Sequence, residues 1–191
     1  YDLHAGPIYY ELLGWDWLLG SAKLPYTRID EDFVRDGGLK RTALEALILP
    51  DAQAMDPQLA AALAEWTAAG GLLIASRVPG RTDAAGRPLE RSPLEEVLGA
   101  RLAGTTSQAV VGTPLTVTIP RGIYTGGWAE STSRQADFEV LQPTTAEVLA
   151  TYEDGRAAIT LNRHGRGRAV TMGYPFGVEA VVADRTSIGF Y

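Results

Sequence analysis

The chain contains no cysteine. That absence removes disulfides, thiolate nucleophiles, Cys-ligated zinc and iron–sulfur clusters together, which speaks against redox chemistry, and it leaves the compartment open. Histidine is almost as scarce: His4 and His164 are the only two, without ligand-pair spacing, so neither a zinc site nor any other cofactor is expected. Basic charge is also short, 17 Lys and Arg against 23 Asp and Glu, and the formal net charge of −6 argues against a nucleic-acid partner. No apolar run approaches the roughly 20 residues that span a bilayer, and no charged, then apolar, then small-residue leader opens the chain. A soluble protein follows, with the cytoplasm favoured and neither membrane nor nucleic acid as partner. Tyr1 is not Met and leads almost at once into a helix, as in a piece of a longer polypeptide.

What is present suits one ordinary core, since 46% of the 191 residues are hydrophobic and 21% charged. "GPIYYELLGWDWLLGSAK" (6–23) puts Ile8, Leu12, Trp15, Leu19 and Ala22 on one helical stripe, with Pro7 suited to the first turn. "LPYTRID" (24–30) reads as a short extended run. Asp30 caps a helical turn or two that glycine ends, and "ALEALILP" (43–50) reads as a buried strand closed by Pro50. Asp56 and Pro57 open a helix whose apolar face is Leu59, Leu63 and Trp66, and "LLIAS" (72–76) follows as another apolar strand. Apolar runs joined by helices predict a doubly wound unit of parallel strands.

A Gly-, Pro- and Arg-rich loop (77–91) leads to "SPLEEVLG", where Ser92 and Glu95 predict a capping box and Gly99 a helix end. Beyond it, residues 110–120, 147–153, 157–163 and 168–174 are β-rich and joined by tight turns. No repeat or flexible linker divides the chain. The expectation is therefore one α/β domain over 1–191, doubly wound over 1–105 and β-rich over 106–191.

The order of these segments resembles a family. "LPYTRIDEDFVRDGGLK", "LEALILPDAQAMDPQLAAALAEWTAAGGLLIAS", "PLEEVLGARL" and "GRAAITLNRHGRGRAVTMG" look like the trimerisation domain of family 42 glycoside hydrolases, the bacterial β-galactosidases, over most of 8–105 and 147–175. The resemblance implies a flavodoxin-like, class I glutamine amidotransferase-like three-layer sandwich, its sheet mostly parallel with an antiparallel β extension from the C-terminal half. The strands at 25–29, 44–49 and 72–76 are expected side by side. It also implies a non-catalytic, subunit-associating domain, a homo-oligomer and specifically a trimer, attached to a (β/α)8 barrel that carries the catalytic glutamates.

Candidate site residues must be weighed against plainer roles. Asp51 and Gln53 follow one parallel strand, Ser76 and Arg77 another, at the carboxyl ends where open α/β sheets collect ligands. They are candidates to line one crevice for a small ligand or sugar, the alternative being an amidotransferase-like hydrolase. Ser76 lacks the flanking glycines of a nucleophile elbow and has no histidine placed to serve it, so a strand-end hydroxyl is the better reading. Asp51 and Gln53 read equally as turn formers. Glu31, Asp32, Glu95, Glu96, Glu139 and Glu153 read as caps and solvated acids rather than a glycosidase pair, whose carboxyls stand about 5 to 9.5 Å apart. Arg163, Arg166 and Arg168 in "RHGRGR" surround two glycines, as either an anion site or a solvated hairpin. Trp15 and Trp66 fall on core stripes. Trp17, Trp128, Tyr9, Tyr10 and Tyr124 do not, and await burial, subunit contact or sugar stacking.

Overall fold

The computed structural model describes residues 7–107, 110–111, 115–119, 122–126 and 138–178. Its first half runs α1 (Pro7–Ser21), α2 (Glu31–Arg35), α3 (Gly38–Arg41), β1 (Ala46–Pro50), α4 (Pro57–Ala68), β2 (Leu72–Ser76) and α5 (Glu95–Leu98). Local chemistry starts these helices where the caps predict. The Asp30 carboxylate accepts the Phe33 amide and that of Asp56 the Leu59 amide, both at 2.8 Å, each satisfying an orphan donor of a first turn. At α5 the box is incomplete: Ser92 Oγ accepts the Leu94 amide at 3.1 Å but donates to the Pro79 carbonyl at 2.6 Å, tying the helix start to the loop after β2.

The second half adds β3 (Ala100–Thr106), β4 (Val110–Val111), β5 (Leu115–Ile119), β6 (Gly122–Gly126), β7 (Phe138–Pro143), β8 (Glu147–Tyr152), β9 (Ala157–His164) and β10 (Gly167–Met172). One eight-stranded sheet has the order β1-β2-β10-β9-β7-β3, with β8 also on β9 and β4 on β8, while β5 and β6 pair separately. β1 and β2 are parallel neighbours in the register Ala46 to Leu72, as expected, and β10 lies parallel on the other side of β2. All remaining pairings in that sheet are antiparallel, so it is mixed and mostly antiparallel, not mostly parallel. The cause is the two-residue turn at Gly165 and Arg166. It folds β9 back beside β10, the turn at 153–156 folds β8 back beside β9 in the same way, and β7 and β3 add further antiparallel neighbours. The expected strand at 25–29 is absent as well: these residues form no regular element and join no sheet among the described residues.

Side chains alternate across the sheet and build two cores. Leu47, Leu49, Leu73, Ala75 and Ala169 meet Leu59, Leu63, Trp66, Val97 and Leu98 of α4 and α5. On the other face Ile48, Ile74, Val170 and Met172 meet Trp15 and Leu18 of α1 together with Phe138, Tyr152 and Phe176. Helices thus cover both faces of the parallel end. Ile8, placed on the buried stripe of α1 by spacing, is 49% exposed because the stripe makes contact only from the second turn onward.

Candidate functional site at the carboxyl ends of β1 and β2

Both parallel strands end in backbone that L-residues rarely adopt: Asp51 has φ of 44° and Arg77 φ of 65°. Such left-handed residues cost about 1–2 kcal/mol each and persist only where the surroundings impose them. Here neighbouring strands do. The Asp51 amide donates to the Ser76 carbonyl at 3.1 Å, and the Arg77 amide to that of Met172 at 2.7 Å.

The two turns bring Asp51, Gln53, Ser76 and Arg77 together, as proximity to the strand ends predicts. Gln53 Nε2 donates to Asp51 Oδ2 at 2.9 Å, and Arg77 Nη1 stands 3.7 Å from the same oxygen. Two residues the sequence reading missed complete the cluster. Glu139, from β7, is fully buried rather than a solvated strand-end acid. It lies 2.7 Å from Arg81 Nη1 and 3.2 Å from Arg77 Nε, and Arg81 Nη2 donates to Asp51 Oδ1 at 3.1 Å. The Val78 amide donates to Glu139 Oε2 at 2.6 Å. One signal pointed there: an acid between Phe138 and Val140 in an apolar strand needs a buried partner.

Two carboxylates and two guanidiniums neutralise one another, so the crevice is filled by its own ion pairs. Burial pushes the Glu139 carboxyl above its ordinary range, against the pull of the Val78 amide and both arginines. Burial likewise raises the Tyr152 phenol, whose hydroxyl donates to the Glu139 carbonyl at 2.8 Å. Ser76 Oγ is buried without a hydrogen bond, so no described group is placed to take its proton. The strained position belongs to Arg77, one residue later, where a guanidinium stands in place of a nucleophile.

The other candidates resolve by contact. Arg166 donates its amide to the Ala68 carbonyl at 2.9 Å and its guanidinium to that of Ala69 at 2.8 Å, closing the end of α4. Glu31 and Asp32 pair with Arg35, which also holds Asp56 at 2.6 Å. Trp15 and Trp66 are buried, while Tyr9, Tyr10 and Trp17 are exposed. Trp128, His4 and the side chain of Tyr124 lie outside the described residues.

Residues 23–183 match the β-galactosidase trimerisation domain family, and the chain belongs to it. Among solved structures, the GH42 β-galactosidase Gan42B of G. stearothermophilus superposes with a TM-score of 0.61 at 19% identity, covering 95% of this chain and 25% of that one. The exo-β-1,4-mannosidase Op5Man5 from Opitutaceae bacterium strain TAV5 gives 0.61 at 18% identity over 97% of this chain and 31% of its own. A cytoplasmic protein, STM1381, from Salmonella typhimurium LT2 gives 0.55 at 13% identity, over 87% and 75%. The chain spans about a quarter of the length of the first of these. Comparison with curated protein sequences gives no match. Among the described residues no helix is long and apolar enough to cross a membrane.

Proposed function

We propose that this domain joins copies of a larger β-galactosidase-type glycoside hydrolase, as a trimer, and performs no chemistry of its own. The family's description supports association, and the outer side of α1 carries the reading for this chain. Tyr9, Tyr10, Leu13 and Trp17 form one helical stripe, 37–50% exposed, while Leu12, Trp15 and Leu19 face inward. A helix apolar all round is covered on both sides in the finished assembly, and a contiguous aromatic patch marks a subunit contact. The self-neutralised crevice supports the absence of chemistry.

Sedimentation of the purified chain tests this. Association into multiples of the 20.5 kDa chain is expected, and Leu13→Lys with Trp17→Lys should weaken it at least about tenfold while leaving Tm unchanged. A chain that stays monomeric at the highest attainable concentration overturns assembly through this helix. Turnover of an aryl galactoside by the domain, abolished by Glu139→Gln, overturns the non-catalytic part.

The finer fold reading is also a proposal: β1, β2 and β10 with α1 and α4 on opposite faces are the surviving core of a flavodoxin-like, amidotransferase-like unit. A second reading, a small ligand at Asp51, Gln53, Ser76 and Arg77, has one observation in its favour, the buried unpartnered Ser76 hydroxyl.

A further inference from the structure

Arg166 of the basic hairpin closes the end of α4, but Arg163 and Arg168 have no such task. They stand directly opposite each other on β9 and β10, at the end of a row that runs Ala46, Leu72, Arg168, Arg163 across four strands. The Arg168 amide donates to the Gly71 carbonyl at 3.1 Å, away from β9. The two arginines are therefore a non-hydrogen-bonded pair, the kind in which facing side chains lie closest. Both are exposed, on the sheet face that Leu161 and Val170 share with Trp15 of α1.

Like charges that face each other at such a position destabilise a sheet. Elsewhere the chain relieves its cations: Arg28, Arg35, Arg77, Arg81, Arg87 and Arg156 each hold a carboxylate. Among the described residues neither the Arg163 nor the Arg168 guanidinium has an ion pair or hydrogen bond, in a chain with 23 Asp and Glu. Glu147 on β8 stands opposite Leu161, two residues along β9 from Arg163, and pairs with neither. The pair is also held in place. A Cβ at Gly165 would come 2.6 Å from the Ala68 carbonyl oxygen and one at Gly167 2.0 Å from that of Thr67, so the hairpin is seated on the end of α4. A fixed backbone that keeps two repelling cations side by side breaks local consistency, and such breaks are expected at functional sites.

We infer that Arg163 and Arg168 form a binding site for a tetrahedral oxyanion of the phosphate class, held between the two guanidiniums. Two cations match a dianion, and forked N–H donors on side chains rooted about 5 Å apart both reach the oxygens of one such group. A carboxylate of a second copy fits less well. No large exposed apolar residue stands in the row, where Leu72 is buried and Ala46 is small, to extend the pair toward the roughly 800 Å² per partner of a stable contact. A nucleic-acid backbone is disfavoured by the net charge of −6. The site lies on other residues than the crevice at Asp51 and Arg77, and it needs no association through α1.

Thermal unfolding of the 191-residue chain in sodium phosphate, against sodium chloride of equal ionic strength, tests the site together with a phosphate titration followed at the arginine Nε resonances. Phosphate should raise Tm and shift the Arg163 and Arg168 resonances saturably. Arg163→Gln combined with Arg168→Gln should weaken binding at least about tenfold and remove the Tm response. Arg163→Glu should raise Tm in chloride, because opposite charges then face each other, and also lose the response to phosphate. A hexose phosphate titrated in parallel identifies an esterified phosphate if it binds more tightly than the inorganic ion, and the free ion if it does not; either result supports the site. Four results overturn it: no effect of phosphate beyond ionic strength; an equal response in the double glutamine variant; a lower Tm for Arg163→Glu in chloride, which would mean that the pair holds no repulsion to relieve; or resonances that move with chain concentration and not with phosphate, which would place a carboxylate of a second copy there.

Discussion

Glu139 shows at the level of one side chain how burial and pairing compete. Because burial raises its carboxyl above the usual value of 4.5, the folded chain keeps a proton there that the unfolded chain has lost. Its stabilising contribution is therefore full below that usual value and declines as pH rises through the raised one. Glu139→Gln keeps an acceptor for the Val78 amide and cannot ionise. The part of the pH dependence that Glu139 gives the parent should be missing from the variant, which urea midpoints compared across acidic and neutral pH would reveal. Asp56 and Asp83 act with opposite sign: Asp56, held low by the Leu59 amide and Arg35, and Asp83, held low by Arg87, lose their contribution as pH falls through the depressed range. Arg81→Met, leaving two buried carboxylates with one guanidinium, should cost about 3 kcal/mol, the lower end for breaking a buried pair because the arginine keeps some water. Ser76→Ala should fall within about 0.5 kcal/mol of the parent, since the hydroxyl removed makes no bond. Labelling of Ser76 by a serine-directed phosphonate would contradict its placement as a strand end.

Among elements, α4 and the β9–β10 hairpin behave as one unit. Trp66 packs under α4 against Gly71, where an added Cβ would stand 2.6 Å from the indole ring, and Trp66→Ala should cost about 3–5 kcal/mol by opening a cavity. A Cβ at Gly167 would fall 2.0 Å from the Thr67 carbonyl oxygen, so Gly167→Ala must push the hairpin off the helix and lower Tm. Gly20→Ala, with nothing within 4 Å, is the control and should hold or raise Tm. The legibility of these elements in the sequence differs for a physical reason. Asp30 and Asp56 act on amides three residues away, and the apolar runs of β1 and β2 suit burial on both faces, so their positions follow from local pattern. Residues 25–29 read from sequence as extended in the same way, but a strand also needs a neighbour, and local pattern cannot supply one.

For the whole molecule, one face of α1 separates two roles. Its inner side covers the open edge of β1, and its outer side carries the aromatics that should hold copies together; lysine at Leu13 and Trp17 therefore tests association without touching that inner side. By itself the sequence determined the helix starts, the parallel β1–β2 pair, the change to tight turns in the second half and the acidic, cysteine-free chemistry, because each depends on neighbours a few residues away or on composition. Only the tertiary structure decided that β10 would enter parallel beside β2, so that the antiparallel strands of the second half continue the same sheet, and that Glu139 would be buried against Arg77 and Arg81. The Val78 amide that donates to Glu139 is 61 residues distant, and no local periodicity encodes a pairing whose free energy arises only once both segments are in place.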